Sequence, residues 1–152
     1  MTTNESNPMA EMEKVGLSVN PLVAKLRLIA LFISLIVVFQ GVLVLLGWVF
    51  ESSILKSTLP GFIEMKTNAA LGFVLAGAAL FLQLKTPIVG RQQTIARLLA
   101  VLTVIIGVLT LAEYLFNFNL GIDQLLFDEP SGAFGGLLPN RMGVPAAISL
   151  TL

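Results

Sequence analysis

The residues that could carry chemistry in this chain are few. Its 152 residues include neither cysteine nor histidine. That removes disulfides, thiol redox chemistry, Cys or His zinc sites, haem held by those ligands, and every nucleophile activated by a histidine. Carboxylates, cations, amides and one tyrosine remain. Glu113 is the one acid inside a long apolar stretch, and an intramembrane carboxylate is a functional candidate by default. It could read protons, pair with Lys56 or Lys66, or fasten loops together. Tyr114 and Trp48 lie at the same boundary and fit an aromatic belt. Asp123, Asp128 and Glu129 put three acids in one loop, but the run from Asp123 to Glu129 lacks the alternating oxygens and terminal bidentate acid of a calcium loop. The glycine-rich run Ser131 to Gly136 lacks the lysine and the strand-to-helix setting of a phosphate loop. Gln40 is an amide near the middle of an apolar run, where it must face another helix, a second copy or water. Packing is favoured there over a ligand role. Thr67 and Asn68 precede the second apolar run, and either can cap its helix start. The sequence therefore predicts no catalytic residue, no metal ligand and no cofactor, and offers Glu113, Tyr114, Asp123, Gln40 and Asn68 as sensing or packing residues.

The elements that must position these side chains follow from composition. Hydrophobic residues make up 56% and charged residues 12%, and the mean hydropathy is +0.91. This is bilayer composition. Nine basic residues balance nine acidic ones, so no basic surface points to nucleic acid. Leu26 to Phe50 is apolar apart from Arg27 at its start, and a span needs about 20 such residues. Ala69 to Leu84 is shorter and stops at Lys85 and Pro87. Ile95 to Phe116 carries Arg97 and Glu113 near its ends, each within snorkelling reach of an interface. Val144 to Leu152 covers only about 13 Å and cannot cross a core of about 30 Å alone.

The expected fold is thus an all-α integral membrane bundle. A cytoplasmic polar tail over 1–24 precedes a transmembrane module over 25–152, with spans at about 26–50, 69–85 and 95–116 and a truncated fourth at 143–152. Lys14, Lys25, Arg27, Lys85, Arg91 and Arg97 flank one side, against Lys56, Lys66 and Arg141 on the other. The positive-inside rule then puts the amino terminus in the cytoplasm.

Met65, Ala69, Ala70 and Leu71 precede Met142, Ala146, Ala147 and Ile148 by 77 residues. Leu59-Pro60 and Leu138-Pro139 lie upstream of the two copies. Such self-similarity is the mark of an internal repeat, here two helical hairpins.

The stretches EYLFNFNLGIDQLLF, Glu113 to Phe127, and LLGWVFESSILKSTLPGFIEMKTNAALGF, Leu45 to Phe73, resemble the membrane module at the amino end of bacterial sensor proteins. In that family a four-helix membrane region of two similar hairpins precedes PAS domains and then a histidine kinase or diguanylate cyclase. Leu120 to Gln124 is the most specific part. The family tends to show Met, a variable residue, then Pro-Asn-Thr-Ala-Leu. This chain has Met65, Lys66, Thr67, Asn68, Ala69, Ala70 and Leu71, without the proline. The second copy, Met142, Gly143, Val144, Pro145, Ala146, Ala147, has the proline displaced and lacks the asparagine.

The resemblance implies a signal-input or anchoring module in the bacterial cytoplasmic (inner) membrane. Its partners would be the lipid bilayer and either a second copy or an effector protein, with any kinase or cyclase activity outside this chain. It assigns no ligand contacts residue by residue. The alternative is a small transporter or channel subunit. No expected span carries a midplane charge or a broken helix of the kind substrate sites use. The stimulus, the effector and the status of Leu152 as terminus are not legible.

Overall fold

The computed structural model describes residues 21–57, 64–85, 90–127 and 140–152. Among these the chain is all-helical: α1 (Pro21–Val49), α2 (Ser53–Lys56), α3 (Thr67–Leu84), α4 (Arg91–Phe116), a 3-10 turn at Ile122–Gln124, and α5 (Val144–Thr151). Helices α1, α3 and α4 are each long and apolar enough to cross a membrane. At 1.5 Å per residue they are about 43, 27 and 39 Å long.

Helix α1 starts at Pro21, ahead of the expected Leu26, because a proline at the first helical position gives up only an N–H that would be unpaired anyway. Residues 21–24 therefore belong to the helix and not to the polar tail. Helix α4 likewise starts at Arg91, after Gly90, and its first turn is polar and exposed. Hydropathy finds only the part of a helix that lies in lipid. At the start of α3 the N-cap position belongs to Lys66, which makes no side-chain cap bond; Thr67 and Asn68 sit inside the helix and do not cap it.

Side-chain burial is inverted relative to a water-soluble bundle. Phe32 is 67% exposed, Phe39 63% and Leu115 79%, whereas Ser34, Thr67, Thr110 and Glu113 are fully buried. In water this would leave large apolar surfaces uncovered. In lipid it satisfies both solvents, since bilayer helices meet through small and polar residues and turn bulky apolar ones outward. The buried hydroxyls of Ser34 and Thr103 donate to the backbone carbonyls of Leu31 (2.8 Å) and Leu99 (2.9 Å), so part of the buried polarity is satisfied within each helix.

Helix α3 packs along both α1 and α4, and α5 packs on α4. At the end where the chain enters α1, Arg27 donates through Nε to the carbonyl of Leu84 at 2.7 Å, with Nη2 aimed at the same oxygen. A cation there satisfies a free carbonyl and complements the helix dipole. At the opposite, distal end, the Trp48 indole N–H donates to the carbonyl of Met65 at 3.0 Å. Helices α1 and α3 are therefore antiparallel. The apolar core also lies distally, where Val44, Trp48 and Ala70 form one cluster and Ala69, Met142, Ala147 and Leu150 another.

Two glycines let helix backbones come close at corresponding places. A Cβ on Gly41 would stand 2.7 Å from the carbonyl oxygen of Ala70, and one on Gly107 would stand 2.9 Å from that of Ala147. Only a residue without a Cβ allows backbones to come this near.

Candidate functional site: a buried polar cluster at the distal end

Along α4, Thr103, Gly107, Thr110 and Glu113 are buried, the spacing of one helical face. Glu113 thus points into the bundle and not toward lipid. The helix ends at Asn117, whose φ of 50° places it in the left-handed region, a common way to stop a helix. The chain then doubles back, and the Leu120 N–H donates to Glu113 Oε1 at 2.7 Å. Asn119 Oδ1 accepts the Gly121 N–H at 2.8 Å, a local Asx turn, and Gly121 itself has φ 74°. These steps deliver the 3-10 turn with Asp123 buried beneath it.

Arg141 joins the acids. Its Nε donates to Asp123 Oδ2 at 2.7 Å, and its Nη2 lies 3.4 Å from Glu113 Oε1 and 3.4 Å from the carbonyl of Phe118. All three charged side chains are buried. The planar guanidinium fork suits one cation shared between two carboxylates. Its Cζ also lies 5.5 Å from the centre of the Tyr114 ring. Asn68 completes the ring of contacts: its Nδ2 donates to Asp123 Oδ1 and to the carbonyl of Ile122, both at 3.2 Å. Asp123 therefore links α3 to the segment that enters α5.

Asn140 makes a second link. Its Oδ1 accepts the Thr67 N–H at 3.2 Å, while its Nδ2 donates to Thr67 Oγ1 at 2.6 Å and to the carbonyl of Phe127 at 3.0 Å. An orphan N–H of the first turn of α3 is thus capped from 73 residues away in sequence, which local cap rules cannot foresee. Two buried oxygens, Glu113 Oε2 and Thr110 Oγ1, have no hydrogen-bond partner.

Of the residues singled out from sequence, the structure brings Glu113, Asp123 and Asn68 into one cluster and sets Tyr114 at its edge. Tyr114 is 39% exposed and donates its hydroxyl to the carbonyl of Met142 at 3.0 Å. Gln40 is half-buried on α1, two turns or about 12 Å from Trp48, and does not join. Lys56 lies over the Trp48 ring, 4.1 Å from its centre; the cation that reaches Glu113 is Arg141. Asp128, Glu129 and the glycine-rich run lie outside the described residues. Leu120 to Phe127 makes only the single 3-10 turn. Sequence reasoning missed Arg141, Asn140 and Thr110. The available signal was that Glu113 and Asp123 have no cation of their own segment to pair with, and that Arg141 is the one guanidinium among the cations expected on that side.

The contacts come in matched pairs. Trp48 donates to the carbonyl of Met65 as Tyr114 does to that of Met142. Gly41 meets the carbonyl of Ala70 as Gly107 meets that of Ala147. The α1 and α4 members are 66 residues apart, and the residues they meet, in or just before α3 and α5, are 77 apart. No protein-family model, curated protein or solved structure matches this chain. Among the described residues no three acids gather as a metal site would need. What the arrangement can do is mechanical and electrostatic: it fixes the distal ends of the helices relative to one another.

Proposed function

We propose that this chain is the membrane-embedded signal-input or anchoring module of a bacterial sensory protein, built as two helical hairpins, α1 with α3 and α4 with α5. Helix α5 takes the place of the distal part of a fourth span. The module sits in the cytoplasmic membrane with its amino end inside, and acts with a second copy or an effector protein. Catalysis is not among its roles.

The observation that supports this most is the linkage through Asp123. One side chain on a turn outside the helices contacts Asn68 of the first hairpin and Arg141 of the second. An event at that turn changes contacts to both hairpins together, and a signal of this kind acts by biasing an equilibrium between helix arrangements. The resemblance of Leu45–Phe73 and Glu113–Phe127 to sensor input modules points the same way.

The test places spin labels at Lys25 and Lys85, at the opposite end of the bundle from the turn, and measures their separation in nanodiscs for the wild type and Asp123→Asn. The expected result is a displaced or broadened distance distribution in the variant with helicity retained. An unchanged distribution would sink the coupling. Solute flux through the purified protein in liposomes would favour a transporter or channel subunit instead.

A further inference from the structure

A cavity of about 210 Å³ lies between α3, α4 and the 3-10 turn. Its walls are Leu71 of α3, Ile106 and Leu109 of α4, Ile122 of the turn, and Leu125 and Leu126 just after it, with Asn68 the one polar lining residue. The orientation of the Asn68 amide is fixed by its partners. Both are acceptors, the Ile122 carbonyl and Asp123 Oδ1, and both amide hydrogens are spent on them. Asn68 is buried, and among the described residues nothing donates to its Oδ1.

We propose that this cavity is a binding site for a small bilayer-soluble alcohol or phenol: an apolar body carrying one hydroxyl, donated to Asn68 Oδ1. Each part of the ligand follows from the lining. A dry cavity of about 150 Å³ suffices for benzene, so this one takes a phenyl ring or short alkyl chain with a polar atom to spare. A wholly apolar guest would cover that carbonyl oxygen without giving it a donor, which is costly. A carboxylate or phosphate finds no donor here, because both Asn68 hydrogens are used. An ammonium finds no acid, because Asp123 is held by Arg141 and does not line the cavity. Water is disfavoured as the occupant, since a buried water needs two to four polar partners and the walls supply one acceptor. The site does not depend on the sensory reading, and its occupancy can be measured directly.

The experiment uses the full chain in phosphatidylcholine nanodiscs and an octanol bearing a diazirine at carbon 3. After irradiation, adducts are mapped by mass spectrometry. They are expected to concentrate on Leu71, Ile106, Leu109 and Leu125, and 1-octanol should compete about five-fold better than octane at equal concentration in the bilayer, the worth of one modest hydrogen bond. Asn68→Leu should abolish that preference. Because Asn68 also holds Asp123, a second variant, Leu109→Trp, fills the cavity from α4 and leaves those hydrogen bonds in place; it should suppress labelling without lowering stability. Labelling spread over the lipid-facing side of α1 with no concentration at the cavity would show partition into the bilayer only and overturn the proposal. So would labelling of Leu109→Trp equal to wild type, or competition by octane equal to that by octanol.

Discussion

Arg141→Met is the most informative single change, because the structure gives both its size and its cure. The substitution removes a cation that is 5% exposed and keeps the length of the side chain. It leaves Asp123 without its 2.7 Å partner and Glu113 without the cation 3.4 Å away. Breaking a buried ion pair by deleting one partner typically costs about 3–5 kcal/mol, most of it the burden of the uncompensated charge. Here two carboxylates are stranded, so the upper part of that range is expected. Arg141→Lys keeps the charge but cannot serve two carboxylates and the Phe118 carbonyl from one planar fork, and should fall between wild type and Arg141→Met. The triple variant Arg141→Met, Glu113→Gln, Asp123→Asn removes every charge of the cluster, so no charge is left stranded and it should recover part of the loss. Equilibrium unfolding in mixed micelles, titrated with SDS and followed by helicity, measures all three. A loss below about 1 kcal/mol for Arg141→Met, the level of an exposed pair, would refute the buried-cluster reasoning. So would a triple variant no more stable than the single one.

Other expectations are simpler. Asn140→Ala removes the cap of the Thr67 N–H together with the bonds to Thr67 Oγ1 and the Phe127 carbonyl; the same SDS titration should show a loss of about 1–2 kcal/mol. Gly41→Leu and Gly107→Leu should each cost about 1–3 kcal/mol by overpacking, and equal tolerance of both would remove the close helix approaches from the account. Trp48→Phe keeps an aromatic ring but deletes the donor to Met65 and half of a buried indole, for a loss of about 1–3 kcal/mol. The chain has no cysteine of its own, so single cysteines at Lys25 and Phe127 can be probed in intact cells with an impermeant thiol reagent. Labelling at Phe127 and protection at Lys25 are expected, and the reverse would invert the orientation.

The three long helices were legible because lipid demands an apolar run, and the runs from Leu26 and Ile95 are hard to read otherwise. Their starts were less legible. Pro21 and Arg91 begin helices in residues that need not be apolar, since they extend past the hydrocarbon. Glu113 stood out as an acid in an apolar run, and Asp123 as part of a specific stretch; both belong to the cluster. Arg141 and Asn140 were invisible as partners because the contacts that give them meaning span up to 73 positions, and local patterns carry no information at that range. Gln40 stood out for the same reason as Glu113, yet its depth in α1 keeps it from the distal cluster. An unusual residue in a span marks a constraint, and only the fold says which one.

The two connections at the distal end differ in length. Trp48 and Met65 are 17 residues apart, whereas Tyr114 and Met142 are 28 apart. If the halves arose by duplication of one hairpin gene, the later copy gained eleven residues, and the turn bearing Asp123 lies within that longer connection. The gain broke the equivalence of the copies at a place where both are touched. Divergence among descendants of such a duplication should then be concentrated in the longer connection, because changes there reach Asn68 and Arg141 together, while Gly41, Gly107 and the paired aromatic donors are held by contacts within their own halves.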